Sequence, residues 1–428
     1  MTNRQQILTA LYVSLFGAVA VTSVVDAQSA SKDWPVWRGP NRNAIADEKQ
    51  DFVTEWDDTK NVIWKSKIPG RGHSSPIVVG DLIVLATAYD SEERQTVLGY
   101  DRKTGKQLWE TQINEGEFPA RIFLPNNTHA SPTVSSDGKL FFAVFNNNDS
   151  AQLAALDAKG KIVWKKKAGV FVPKRYQFGY GASPLVHDGM VIVSSECERD
   201  GTMKAFETKT GKEIWSVKRD KATSYSSPIV AKFGDREMLL ISGGNEVAAY
   251  NPKDGKQLWK TESRWQVSCG TLVWDEKNEI VFASGGFPQA QTLALSAKDG
   301  KVLWTKRVKC YEQSMLAFDG HVYAVDDNGI AYCWKSKDGT ETWRKRLQRP
   351  VSSSPVLANG NIYIANERGV HYVFKANPAA FEMVAENQLG ESHYATPAFC
   401  DNKIYVRVAS GTRNNRQEML YCLGKKTE

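Results

Sequence analysis

The sequence predicts an all-β fold: an eight-bladed β-propeller with tryptophan-docking repeats, its ring closed by an N-terminal strand. Three observations predict it. Six segments end alike: Gly99-YDRKTGKQL-Trp109, Ala155-LDAKGKIV-Trp164, Ala205-FETKTGKEI-Trp215, Ala249-YNPKDGKQL-Trp259, Ala294-LSAKDGKVL-Trp304 and Cys333-WKSKDGTET-Trp343. A second marker recurs as Ser75-Pro76, Ser131-Pro132, Ser183-Pro184, Ser227-Pro228, Ser354-Pro355 and Thr396-Pro397, with degenerate copies at Gly270-Thr271 and Ser314-Met315. The closing tryptophans stand 39 to 55 residues apart. A period of about 40–50 residues rich in short strands is the signature of a propeller.

The markers count eight units, starting near residues 73, 129, 181, 225, 268, 312, 352 and 394. Each unit reads as four strands. The Ser-Pro marker opens the first, where a missing N–H costs least. A Gly/Asp turn such as Val79-Gly80-Asp81 leads to a strongly apolar second strand such as Leu82-IVLATA. The third carries the alternating Leu-x-Ala-x-Asp pattern. An Asp/Thr-Gly-Lys turn enters the fourth, near Trp; Gly supplies the positive φ that such turns need. Trp64, in Asn61-VIWKSKI, looks like a fourth strand that precedes the first unit, while the eighth unit ends at Leu420-YCLGKKTE without one. The N-terminal strand is therefore expected to complete the last blade and remove an open edge.

Residues 1–27 read as an export signal: Arg4, an apolar run from Ile7 to Val25, and small residues at Val25-Asp26-Ala27. An uncleaved anchor is the other reading of that run. Residues 28–55 form an arm, whose Trp34, Trp37 and Arg38-Gly39-Pro40 turn are expected to pack on the ring, and 56–428 the propeller. The expected location is periplasmic or extracellular. The net charge of +7, from 55 basic and 48 acidic residues, owes much to lysines of the repeated turns and does not indicate nucleic acid. No Gly-x-Ser-x-Gly, His-Glu-x-x-His or phosphate-loop motif occurs.

Candidate binding residues are those that break the repeat on the connections entering each blade, because these converge on the mouth of the central channel. They are His73, Arg121, His129, Arg175, Tyr180, Tyr225, Trp265, Tyr311, Glu312, His393 and Tyr394, with Arg71, Asn127, Tyr176, Gly181, Ser268 and Ser352 beside them. The mouth could take a protein or a small polar ligand. His73, His129 and Glu312 belong to blades 1, 2 and 6, so a shared metal ion is not expected. Cys269 and Cys310, on neighbouring blades, are the pair most worth testing for a disulfide.

The Ala-x-Asp-x-x-T-G-x-x-x-Trp repeat resembles the docking motif of the quinoprotein-like (PQQ-repeat) eight-bladed propellers, over essentially the whole mature chain. The opening Asp33-WPVWRGPNRNAIADE is similar to the N-terminal segment of many secreted bacterial proteins with this repeat. The resemblance implies that Trp64, Trp109, Trp164, Trp215, Trp259, Trp304 and Trp343 pack between blades and hydrogen-bond through the indole N–H. Dehydrogenases of this family carry two adjacent cysteines, a Ca²⁺ site and a catalytic Asp. Here Cys197, Cys269, Cys310, Cys333, Cys400 and Cys422 are all isolated, and no Ca²⁺ cluster is legible. Another branch consists of outer-membrane assembly propellers, which bind proteins. The expectation is a secreted, monomeric, non-catalytic binding or scaffold propeller without cofactor. The alternative is a quinoprotein-type oxidoreductase with PQQ at the funnel.

Overall fold

A computed structural model describes residues 32–119, 127–175, 177–411 and 415–426. The predicted signal, residues 1–27, lies outside the described residues. Eight four-stranded antiparallel sheets form the eight blades of a propeller. Blade 1 comprises Ile77–Val79, Leu82–Tyr89, Arg94–Asp101 and Gln107–Glu115, from the channel outwards. The second strands are buried on both faces between neighbouring blades, which is why they read as unbroken apolar runs; all seven residues of Phe141–Asn147 are buried. The outer strands alternate, and in Glu213–Lys218 only Trp215 is fully buried.

Blade 8 closes as the sequence predicts. Val62–Ile68 pairs antiparallel with Gln417–Leu423, with Trp64 opposite Cys422, and supplies the outer strand. One element was not legible: Trp265–Val267 pairs with Phe287–Pro288 in a two-stranded ribbon beside blade 5.

Hydrogen bonds join neighbouring blades at two radii. At the outer radius, all seven predicted docking tryptophans donate their indole N–H to a carbonyl in the turn of the following blade. The acceptors run from Arg102 for Trp64 to Asn377 for Trp343, at 2.8–3.2 Å. The turn glycine gives the ring its seat. A Cβ on Gly160 or Gly211 would come within 2.7 Å of the Trp109 or Trp164 ring, and both glycines have positive φ (+80° and +68°).

The inner belt explains the Ser-Pro marker. A backbone N–H of one blade donates to the Ser or Thr hydroxyl of the next: Ser75 to Thr133, Thr133 to Ser183, Ser183 to Ser227, Thr271 to Ser314, Ser314 to Ser354, Ser354 to Thr396 and Thr396 back to Ser75, at 2.9–3.1 Å. In blade 2 the belt hydroxyl is Thr133 and not the marker residue Ser131. Ser131 is turned away from the belt, bonded to Asn127.

The arm crosses the channel at the hairpin ends of the inner strands. Trp34 pairs with Val78 of blade 1, and the Pro35 carbonyl accepts from Ser136 of blade 2. Arg42 donates to the Val186 carbonyl of blade 3 and Arg38 to that of Met315 near blade 6. Ala44 and Ala46 bond Leu357 of blade 7. Trp37 reaches the belt, donating to Thr271 Oγ1 at 3.0 Å. The arm thus plugs one end of the channel.

It also serves the seam between blades 7 and 8. Ala385 pairs with Val373 at the register where Trp343 pairs with Cys333, so blade 7 has no docking tryptophan. Trp56 stacks on Tyr363, its backbone N–H donating to Asn387 Oδ1, while Phe52 and Trp34 pack on Phe399 of blade 8.

Two variants test the belts by urea denaturation. Trp164→Ala should cost about 3–5 kcal/mol, as large aromatic truncations do. Thr133→Val, which strands the buried Ser75 N–H, should cost about 1–3 kcal/mol.

Candidate functional site

Because the arm seals one end, the channel is a cup, open where the blade-to-blade connections converge. Its volume is about 310 Å³. Trp37 reaches its floor, and the belt hydroxyls Ser75, Thr133, Ser183, Ser227, Thr271 and Ser314 form its lower wall. Higher up stand His73, Phe178, Tyr225, Cys269, Tyr311, Glu312, Ser352 and Tyr394.

The structure brings together five of the eleven principal candidates, His73, Tyr225, Tyr311, Glu312 and Tyr394, along with Asn127, Gly181 and Ser352 from the positions beside them. The His73 ring stacks on Tyr394 with centroids 4.1 Å apart, nearly parallel at 11°. Burial, helped by Arg71, Arg416 and Arg407, holds His73 well below its usual range, so it is neutral. Tyr394 donates to Glu367 Oε2 at 3.2 Å, and the Ser352 hydroxyl to Glu367 Oε1 at 2.6 Å. Glu367 thus holds the wall from behind. Tyr311 is anchored by its N–H on Asp327, at 2.9 Å. Lys309 pairs with Asp327 at 3.0 Å and lies 5.2 Å from the Tyr311 ring centre.

Glu312 is open to the solvent of the cup but enclosed by protein. The enclosure strips water from its carboxylate and, with Glu367 and Asp327 nearby, pushes it up to about 7.

Five predicted residues are elsewhere. Trp265 is wholly buried, its indole N–H on the Gly243 carbonyl and its ring against Gly285, whose missing Cβ leaves space for it. Tyr180 is buried edge-on to Phe171, and its hydroxyl bonds the Ser194 carbonyl. His129 stacks on Phe118 at 4.0 Å, outside the cup lining. His393 is buried edge-on to His371 at 4.6 Å. Arg175 is exposed on its loop, bonded through its N–H to Glu198. Arg121 and Tyr176 lie outside the described residues. All six cysteines are free thiols: Cys310 is buried in the core beside Trp304, while Cys269 faces the cup. Sequence reasoning missed Trp37, Phe178 and Cys269 as cup residues. The one available signal was that Trp37 stands outside the repeat. No group of three or more His, Cys, Asp or Glu suited to a metal is gathered among the described residues.

The chain matches the profile of a family described as outer membrane protein assembly factor BamB, over residues 25–123, 93–286 and 289–406. Its relatives include an outer membrane protein assembly factor BamB of Yersinia pestis, 24% identical over 76% of this chain and 81% of the relative. The dehydrogenase subunit of a quinone alcohol dehydrogenase of Gluconobacter oxydans is 24% identical over 70% of this chain, but only 38% of that protein. Among solved structures, BamB from Moraxella catarrhalis superposes with a TM-score of 0.59 at 14% identity, covering 86% of this chain and 98% of that one. A europium-containing methanol dehydrogenase superposes with a TM-score of 0.66 at 14% identity, covering 92% and 98%. At these identities the structures establish the eight-bladed fold alone.

The buried His393 makes stability pH-dependent. Burial holds its imidazole down at about 4, whereas an unfolded histidine titrates near about 6.5. As pH falls below about 6.5 the unfolded chain takes up a proton that the folded chain refuses. This contribution is therefore intact above that pH, and about 3 kcal/mol is lost by about pH 4. Urea denaturation across this range should show the loss, and His393→Gln should remove that share of the slope.

Proposed function

The chain belongs to the PQQ-repeat family described as outer membrane protein assembly factor BamB, and on that premise we propose a non-catalytic binding or scaffold propeller of the cell envelope. It is exported by residues 1–27, faces the periplasm as a monomer, and receives a protein or a small polar ligand at its channel mouth. Residues 28–55 act as its plug and 56–428 as its ring.

One observation carries this reading: the cup is built from the connections of all the blades and floored by the chain's own Trp37, a rigid concave receptor. The oxidoreductase reading fares worse on the same residues. PQQ is a polycarboxylate, and among the described residues no Lys or Arg lines the cup, whose one charged side chain is the carboxylate Glu312. Cys269 has Ser268 and Gly270 as neighbours, so no adjacent cysteine pair faces a quinone there. These residues do not fit the cofactor.

Two measurements test the reading. PQQ with Ca²⁺ should leave Tm unchanged and support no alcohol-dependent dye reduction. A saturable rise in Tm with dye reduction would overturn the non-catalytic reading. Photo-crosslinkers at Arg175 and Ser352, beside the mouth, should capture envelope assembly proteins, whereas one at Lys253, on an outer turn, should not. Equal capture from both faces would refute the placement at the mouth.

A further inference from the structure

The chemistry of the cup selects among ligands, and the following rests on the mouth being the binding face. We propose that the cup is a site for a methylated ammonium head group, seated against Glu312 within walls formed by Trp37, Tyr225, Tyr311 and Tyr394.

Three observations support this. The walls are aromatic, and ring faces attract cations through their negative quadrupole. Tyr311 already has the Lys309 cation 5.2 Å from its ring centre. Charge is the second. Lys309 is neutralised by Asp327 at 3.0 Å, and His73 is held neutral, so Glu312 supplies the charge of the described lining. Glu367, behind Ser352 and Tyr394, adds to it. The arginines beyond His73 stand outside the cup: Arg71, Arg407 and Arg416 are not among its lining residues, and Arg407 and Arg416 share Glu418.

The third observation separates a methylated ammonium from other cations. A primary ammonium needs acceptors for its three N–H groups, and a metal ion needs several oxygens. Each belt hydroxyl already spends one acceptor site on a backbone or indole N–H group, and the Tyr394 hydroxyl donates to Glu367, so the strong acceptor of the described lining is the Glu312 carboxylate. A head group without N–H donors needs only ring faces and one carboxylate. A cup of about 310 Å³ admits such a group with a short chain, at the lower end of small-molecule sites of about 300–1,000 Å³.

The test is calorimetric titration of the full mature chain with choline, tetramethylammonium, and 3,3-dimethylbutanol as the uncharged isostere. The two cations should bind saturably and compete with each other, and the alcohol should not. Glu312→Gln and Tyr394→Leu should each weaken choline about tenfold while leaving Tm within a few degrees. Affinity should rise between pH 6 and 8, as Glu312 ionises against Glu367, Asp327 and Lys309, and Glu312→Gln should abolish that rise. A trimethyl-lysine peptide and phosphocholine micelles identify the source, as a protein side chain or a lipid, by which of them displaces choline more effectively. No saturable heat with either cation, equal binding of the alcohol, or unchanged affinity in Glu312→Gln overturns the proposal. If choline gives no heat while the mouth crosslinks form, the ligand chemistry falls and the mouth reading stands. If choline binds without crosslinks, the cation site stands alone.

Discussion

The ring depends on hydrogen bonds that each blade passes to its neighbour. A propeller blade buries both faces of its sheet against adjacent blades, so sliding between blades would cost little apolar area. Directional bonds remove that freedom. At the rim the indole N–H meets a carbonyl of the next turn, and at the channel a hydroxyl accepts the N–H of the preceding blade. Two contacts at different radii set both the spacing and the rotation of the blades at the seams that carry both. The turn glycines belong to the same device, since any Cβ there would displace the tryptophan ring.

The cup is a consequence of that ring and of one irregularity. Eight repeats alone would leave a channel open at both ends. The arm, which does not follow the repeat, closes one end and places Trp37 against the belt at Thr271. The same segment lends Trp56, Phe52 and Trp34 to the seam where blade 7 carries Ala385 in place of a docking tryptophan. It therefore couples ring closure to the shape of the cup. Arg38 marks the tension in this arrangement. It is buried without a carboxylate partner among the described residues, and burial lowers its pKa. Because a guanidinium keeps its proton in proteins, the cost falls on stability, offset by its bond to the Met315 carbonyl.

Cup residues were legible only where position in the repeat decided their direction. Tyr225, Glu312 and Tyr394 stand at equivalent places on short connections, and the structure brings them to the cup with His73 and Tyr311. Trp265 and His393 occupy similar places yet point into the core, one against Gly285 and the other against His371. A connection turns a side chain inwards or outwards according to what its neighbours leave vacant, and periodicity carries no trace of that. The marker Ser131 shows the same limit: moving the belt hydroxyl to Thr133 was invisible without the register of blade 2.

By itself the sequence determined the fold class, the number of blades, the outer docking and the closing strand. Each of these repeats at a fixed period, and repetition converts weak local preferences into an unambiguous pattern. Only the tertiary structure decided that the arm is a plug, that Trp37 lies at the floor of the cup, and that Glu312 is its charged group. Those facts depend on contacts between residues hundreds of positions apart, such as Trp37 with Thr271, which occur once and leave no period to read.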